Sequence, residues 1–400
     1  MKLLYIANQR IPTEKAYGLQ ITKMCQAFAG LGLEIELLVP TRRNPIKKDI
    51  FDYYSVGRTF KFKKVFAPDF YLPGKLDLIA FWIKNLFSGL VLFMFALGSK
   101  VDIIFSRDEL PIYFLSFFKS NLVYEAHRYS KAKKVFYRRF KNAGVKIVTI
   151  SQGLTKAFLQ EGFSQNELLT SPDGVDLEEF SLGISQEEAR KKTSLPLDKK
   201  IILYSGQLFE WKGAASLLEV ARNFQFSIFP DGEAIEDPRQ SRDNFQNNLK
   251  DVLFVFVGGM PTDIENFRKK AEGLKNVLLL GQRPHKEIPY FLKSADVLVL
   301  PNKKDGQISE FYTSPLKLFE YMAAERPIVA SDLPSLREIL NENNSVLVKP
   351  DNASALADGL KLVLSDDALA DRISQKAFED VQKYSWQERA QKIINFIKIS

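Results

Sequence analysis

The chain has 400 residues, 46% of them hydrophobic and 26% charged, with a net charge of +8 at neutral pH. That describes a soluble globular protein with ample core and, by length, one to three domains with two as the default. The single cysteine, Cys25, excludes an internal disulfide and a cysteine-based zinc cluster and fits a reducing cytoplasm, while two histidines, His127 and His285, argue against a His-rich metal site.

The charge is uneven. Residues 1–160 hold 26 Lys+Arg against 11 Asp+Glu, a balance of +15, so the rest of the chain carries −7. Such asymmetry points the first part at something anionic: a membrane surface, a phosphorylated acceptor or nucleic acid.

In chain order, residues 2–7 (KLLYIA) read as a buried strand, within a start (MKLLYIANQRIP) whose apolar run falls short of the roughly 7–15 residues of a secretory leader core. The loop NQRIPTEKAYG then ends at Gly18, Leu19–Leu31 is predicted helical, and Glu34–Val39 is a second strand. This βαβ opening implies a parallel sheet. Further strands are predicted at Asp102–Phe105, Leu122–Glu125, Val145–Ile150 and Leu168–Thr170. A second series begins at Lys200, with strands at Ile201–Ser205, Val252–Val257, Asn276–Leu280, Val297–Leu300, Pro327–Ala330 and Ser345–Val348. Two α/β domains follow, joined near Pro172–Lys200. Ligands of open parallel sheets sit beyond the carboxyl ends of the strands, so the expected site is the cleft between the domains.

Three segments interrupt the pattern. Residues 76–98 are strongly apolar, but Asp77 and Lys84 leave an uninterrupted run shorter than the ~20 residues of a membrane span. A buried or interface-lying helix is expected. Residues 131–146 (KAKKVFYRRFKNAGVK) are densely basic with Val135, Phe136 and Phe140 interleaved, which reads equally as a membrane or anionic-acceptor face and as a solvated helix face. The polar stretch Gln225–Asn248 reads as an insertion.

Thr313–Ala324 (TSPLKLFEYMAA) stands out. Ser314 suits a helix N-cap and Pro315 the first helical position, so the helix start would gather free N–H groups and a positive dipole, a seat for phosphate. Leu316, Phe319 and Ala323 recur at helical spacing and are expected to face the core, with Lys317 and Glu320 on the other face. An ordinary capped helix with a surface Lys–Glu pair satisfies the same residues.

These stretches together resemble the GT-B-fold retaining glycosyltransferases of family 4, which use nucleotide-sugar donors. The matches occur in family order: the loop ending in Gly18, YEAH at Tyr124–His127, IVTIS at Ile147–Ser151, SPDGVDLEEF at Ser171–Phe180, YSGQLFEWKG at Tyr204–Gly213, and TSPLKLFEYMAA followed by RPIVASD. FVFVGG at Phe254–Gly259 and ADVLVLP at Ala295–Pro301 support them. The resemblance implies two Rossmann-like parallel-sheet domains facing a central cleft: residues 1–180 for the acceptor, residues 181–383 for the donor, and a final helix at about 384–400 crossing back to the first.

The resemblance also assigns residues. A departing diphosphate gains negative charge, so cations and donors preorganised toward it are the expected device. Lys212 matches the phosphate-binding lysine and is named catalytic with His127, which matches the active-site histidine near the transferred sugar. Gly18, Gly206, Gln207, Tyr312, Thr313 and Ser314 line the expected donor site, with the amides of Leu316 and Lys317 on the diphosphate and Glu320 on the ribose. His285, in GQRPHKEIPYF, is assigned a structural role. No carboxylate stands out as a nucleophile, which accords with same-face attack assisted by the leaving phosphate. No metal and no cofactor is expected.

Two positions depart from the pattern. Eight residues before Glu320, where a second glutamate is common, stands Tyr312, with Glu310 near but out of register. Where an arginine often follows the glycine, Gln207 supplies only a neutral hydrogen bond, roughly half as strong as a charge-assisted one. The expected function is transfer of a hexose-type sugar from a nucleoside-diphosphate sugar to a glycan or lipid-linked acceptor in cell-envelope polysaccharide or glycolipid synthesis. The expected place is the cytoplasm, peripheral at the inner face of the cell membrane, with no nucleic-acid partner. The alternatives are a catalytically weakened nucleotide-sugar-binding protein and a sugar-nucleotide epimerase. The epimerase lacks the extra acid and base residues its chemistry wants.

Overall fold

The computed structural model describes residues 1–74, 76–226 and 252–398. Contacts divide it into two compact units, Met1–Gly174 with the chain from Trp386 onward, and Val175–Ser385. The stretch expected to be an insertion, Gln225–Asn248, lies outside the described residues from 227 onward.

The first unit is built on β1 (Lys2–Ile6), β2 (Glu34–Pro40), β3 (Lys61–Val65), β4 (Ile103–Ser106), β5 (Leu122–Ala126), β6 (Lys146–Thr149) and β7 (Leu168–Thr170). Their order is β3-β2-β1-β4-β5-β6-β7, and each neighbouring pair is parallel. β4 (IIFS) and β5 (LVYEA) are buried at every residue, because parallel strands covered on both faces need continuous apolar runs. β3 escaped the sequence reading. Its residues KFKKV are mostly exposed lysines, as an edge strand tolerates, with Val65 alone buried.

The second unit holds β8 (Lys200–Ser205), β9 (Val252–Val257), β10 (Val277–Gly281), β11 (Val297–Leu300), β12 (Ile328–Ser331) and β13 (Val346–Val348). Their parallel order is β10-β9-β8-β11-β12-β13. β9 (VLFVFV) is buried throughout and sends alternate residues into two cores, Val255 and Val257 on one side, Phe254 and Phe256 on the other. Each phenylalanine contributes about 1.5–3 kcal/mol by leaving water. In both sheets the strand order reverses beside the first strand, and the crevice outside such a reversal is where doubly wound sheets bind ligands. In the second unit that crevice lies beyond β8 and β11.

The terminal helix, Trp386–Lys398, packs on the Ala16–Gly30 helix of the first unit. Arg389, buried in it, donates to Glu125 Oε1 at 2.7 Å, Pro172 O at 2.7 Å and Ser171 O at 3.2 Å.

Candidate functional site

The seat in the second unit begins where β8 ends. Gly206 turns the chain at φ 123°, and the Tyr204 hydroxyl donates to Gln207 O at 2.6 Å, closing the loop back on the strand. A short 3-10 turn, Glu210–Lys212, then runs into Gly213. Gly213 has φ 71°, and a Cβ there would lie 1.6 Å from Pro301 O, so only glycine brings this turn against the end of β11. Lys303 N–H donates to Trp211 O at 2.9 Å from the same side. The WKG element is thereby locked to both central strands, which places Lys212.

Lys317 reaches the same place from the Leu316–Ala323 helix. It is 7% exposed, its Nζ is buried without a hydrogen-bond partner, and it lies 3.8 Å from the centre of the Tyr204 ring. The same Nζ is 4.0 Å from where a Cβ on Gly206 would be. Among the described residues neither lysine is ion-paired to a carboxylate. Burial lowers the Lys212 ammonium to about 8, with Glu320 pulling weakly the other way. Burial, and then Lys212, hold Lys317 well below the lysine range against the same opposing pull of Glu320. Two amines beyond the strand ends, Lys317 buried and Lys212 half-buried, with Glu320 as their common acidic neighbour and an ion pair to neither, make an anion seat. Gln207 Oε1 and Asn302 Oδ1 are buried and unpartnered as well.

The alternative reading, an ordinary capped helix with a surface Lys–Glu pair, does not describe this helix. The helix is covered on nearly all sides, with Lys317, Leu318, Phe319, Tyr321, Met322 and Ala323 buried and Leu316 only half-buried. Leu318 takes the core position assigned to Leu316. The cap differs too: the N-cap is Pro315, in extended conformation and with no side-chain cap, and Leu316 is the first helical residue. Ser314 therefore precedes the cap. The amides of Leu316 and Lys317 still head the helix, where backbone N–H groups lack intrahelical acceptors. Thr313 and Ser314 are half-buried in the approach, and Tyr312 is buried, its hydroxyl 3.4 Å from Gln307 Oε1. Glu310 pairs with Lys304 at 3.4 Å.

Glu320 has a partner that periodicity does not show. His285 Nε2 lies 3.4 Å from Glu320 Oε1, and its Nδ1 lies 3.0 Å from Glu179 Oε1. Burial alone would lower the imidazole, but the hydrogen bonds to Glu179 and Glu320 outweigh it and raise His285 to about 9. The Phe180 ring meets the imidazole edge-on, centroids 5.6 Å apart. At neutral pH His285 is therefore an imidazolium gripping the carboxylate expected to bind ribose. Its loop-to-helix position alone indicates a structural role; only the fold brings the two glutamates to it.

The first unit places His127 just past the carboxyl end of β5. Its Nε2 lies 3.1 Å from Glu125 Oε2, off the line of a hydrogen bond. Burial and then Arg107 lower the imidazole below its usual value, with Glu125 opposing, so it is neutral at neutral pH. Burial would raise the Glu125 carboxyl, yet Arg389 and then His127 hold it well below the carboxylate range. Tyr5 donates to Glu125 Oε2 at 3.1 Å and Gln20 to Oε1 at 3.1 Å. Gly18 lies inside the Ala16–Gly30 helix rather than at the end of a loop. A Cβ on it would fall 2.0 Å from the Tyr54 hydroxyl, so the missing side chain makes room for Tyr54 within this unit.

The Leu76–Leu97 helix is inverted in polarity. Ala80, Lys84, Ser88, Gly89, Leu92 and Ala96 face inward, while Trp82 is 65% and Met94 63% exposed, with Phe81, Leu86, Phe87 and Phe95 also outward. Its 22 residues are long and apolar enough to cross a membrane by length and composition, with Asp77 and Lys84 interrupting the apolar run as expected. Lys84 ties it inward through Asp69 at 3.4 Å. Exposed Phe117 and Phe118 add to the apolar surface of this unit, Arg139 lies 4.1 Å from the Phe117 ring centre, and Lys63 lies 4.1 Å from that of Phe95. Among the described residues no group of three or more His, Cys, Asp or Glu is placed to hold a metal ion.

Comparison with known proteins adds the following. The family profile "Glycosyl transferases group 1" matches residues 185–380. A Bacillus subtilis protein assigned to teichuronic acid biosynthesis as the glycosyltransferase TuaC is 25% identical over 410 residues, spanning 96% of this chain and 94% of its own. A phosphatidyl-myo-inositol mannosyltransferase of Mycobacterium leprae is 34% identical over 146 residues, covering 36% of this chain and 37% of that protein. The crystal structure of Anabaena HepE in complex with UDP superposes at a TM-score of 0.72 with 15% identity over the whole of both chains, a likeness of fold.

Proposed function

We propose that this chain, a group 1 glycosyltransferase of GT-B fold, moves a hexose-type sugar from a nucleoside-diphosphate sugar to a glycan or lipid-linked acceptor, with retention at the anomeric carbon. The observation that carries the donor half is the pair of enclosed lysines without an ion pair, half-buried Lys212 and buried Lys317, beyond β8 and β11, with Glu320 as their shared acidic neighbour. As the glycosidic bond breaks, charge accumulates on the leaving diphosphate, and cationic groups held in place in the donor-bound seat stabilise that charge more than the ground state. Glu320 accepts the ribose hydroxyls. His127 is the first unit's candidate for the transferred sugar, its neutral imidazole able to hydrogen-bond a hydroxyl, and Gly18 stays with it as the first unit's proposed contribution on the donor side. Neither a metal nor a cofactor enters the proposal, so EDTA leaves the rate unchanged. The test is nucleoside-diphosphate release from a panel of UDP- and GDP-hexoses with the anomeric configuration of the product read by NMR. Release that depends on an acceptor and retains configuration supports the reading. Inverted product removes the retaining part.

The acceptor half rests on the first unit. Its apolar helix face, cationic neighbours and charge of +15 over residues 1–160 fit the interface of an anionic bilayer and support a reading in which the enzyme works from the cytoplasm, peripheral at the inner membrane face, on a lipid-linked acceptor. The inward tether of Lys84 to Asp69 favours a helix lying in the interface over one crossing it. Flotation with vesicles of anionic lipid at low salt, against zwitterionic vesicles, tests this. Absence of binding to the anionic vesicles ends it.

A second reading, a nucleotide-sugar-binding protein that no longer turns over, draws on Tyr312 in place of a carboxylate and on Gln207. Calorimetry followed by turnover separates the two. Tight binding without release across a broad acceptor panel favours the second.

A further inference from the structure

One side chain of the second unit is enclosed without a hydrogen bond at its charged end. Lys317 was expected to offer its amide, but its ammonium end is the part that is enclosed. Nζ has no hydrogen-bond partner, sits 3.8 Å from the Tyr204 ring centre, and stands beside the Gly206 turn. The groups facing it are Lys212 from the WKG turn, Glu320 on its own helix and the Tyr204 ring on β8. The neighbouring Gln207 adds a buried, unpartnered Oε1 but no charge.

We infer that the Lys317 side chain is a second diphosphate-binding cation that takes up a proton as the donor docks, so that the ligand itself charges the seat. The inference rests on the glycosyltransferase reading and deepens it. A lone buried ammonium is costly, and the cost grows beside a second lysine, so the empty seat holds Lys317 as the neutral amine. A diphosphate brings compensating negative charge within reach. The amine then accepts a proton from solvent, no bond to the donor forms or breaks, and the resulting ammonium stays in place as charge builds on the leaving group. Lys212, at about 8, is already mostly protonated at neutral pH and contributes little to this uptake. His285, at about 9, is protonated before and after.

The test is calorimetric titration with UDP, and in parallel GDP, at pH 7.5 in HEPES and in Tris, whose ionisation enthalpies differ. At that pH a terminal phosphate, with its second pKa of about 6, is already ionised and confuses the count little. Wild type is expected to bind at least one of the two with net uptake approaching one proton per site. Lys317→Met is expected to lose that uptake and at least tenfold in affinity. The melting temperature of its free form should equal or exceed that of wild type, because a buried unpaired amine has been replaced by an apolar chain of similar length. Adding Gln207→Arg to Lys317→Met is expected to restore part of the affinity without restoring uptake. Unchanged affinity and uptake in Lys317→Met overturns the inference and leaves the glycosyltransferase reading intact. Loss of binding with a lowered melting temperature and no rescue by Gln207→Arg overturns it in favour of a packing role. Failure of wild type to bind either nucleotide or any sugar donor sinks both.

Discussion

Two buried charge clusters, one in each unit, contrast sharply. In the first, Glu125 is fully enclosed and each side of it is used: Arg389 at 2.7 Å, Tyr5 and Gln20 at 3.1 Å, and His127 alongside. In the second, Lys317 is almost as deeply enclosed, its Nζ against the Tyr204 ring without a hydrogen bond, and Glu320 pulls on it and on Lys212 without an ion pair to either. A carboxylate whose partners are all supplied by the chain ties elements together, here the terminal helix to β5, even though Arg389 Nη1 and His127 Nε2 of the same cluster are buried without a hydrogen bond. A charge left without partners is unfavourable in the empty protein, and its presence points to a ligand that brings the opposite charge.

The largest effect should come from breaking the satisfied cluster. Arg389→Met leaves Glu125 buried without its cation, and removal of one partner of a buried pair costs about 3–5 kcal/mol. Urea denaturation should show that loss, and a midpoint equal to that of wild type would mean that the cluster holds little.

The unsatisfied cluster should respond the other way. Lys212→Ala is expected to lower turnover about 10²–10³-fold, the scale seen when one donor to developing charge is removed, while the unfolding midpoint stays level or rises. Nucleotide release and a melting curve on the same sample check both halves. A fall in stability as large as the fall in rate would erase the contrast between the units.

Glu320→Ala should weaken nucleotide binding less than Lys212→Ala lowers turnover, since it removes hydrogen bonds to ribose worth about 1.5–3 kcal/mol when one partner is charged. Comparing UDP with 2′,3′-dideoxy-UDP sharpens this. The dideoxy analogue should lose affinity for wild type and not for the variant.

The smallest effect concerns His285, which is satisfied like Glu125 yet sits at the unsatisfied seat. Its pKa in the fold, about 9, exceeds the 6.5 of an unperturbed imidazole, so its contribution to stability is complete below about 6.5 and is lost as pH rises through about 9. Melting temperatures of wild type minus those of His285→Gln should be largest below pH 6.5 and shrink toward zero above pH 9. Lys212, whose pKa is depressed, works in the opposite sense, and taking the difference cancels it. A difference flat across that range would mean that the imidazole is not held charged.

Much of this was legible in the residues. The strands of the second unit follow from apolar runs such as VLFVFV and VLVL, because a strand covered on both faces has no room for alternation. The WKG turn and the TSPLK helix start were readable as a pair because glycine and proline carry their backbone constraints with them. β3 was not, since an edge strand rich in lysine looks like loop. Neither was the cap: Ser314 is an apt N-cap residue, but the helix begins one residue later than that reading needs.

What the sequence by itself determined is therefore the order of elements and the chemistry available at the ends of β8 and β11. What only the tertiary structure decided is the surroundings of each charge. Helical spacing shows that Lys317 and Glu320 share a face, but whether that face meets water depends on β8 and the WKG turn, which lie about a hundred residues earlier in the chain. The partners of His285 are 35 and 106 residues away, and those of Arg389 more than 200. The outward turn of the Leu76–Leu97 helix has the same origin. Its small and polar residues match the unit behind it, and nothing in its own periodicity indicates which side that unit would take.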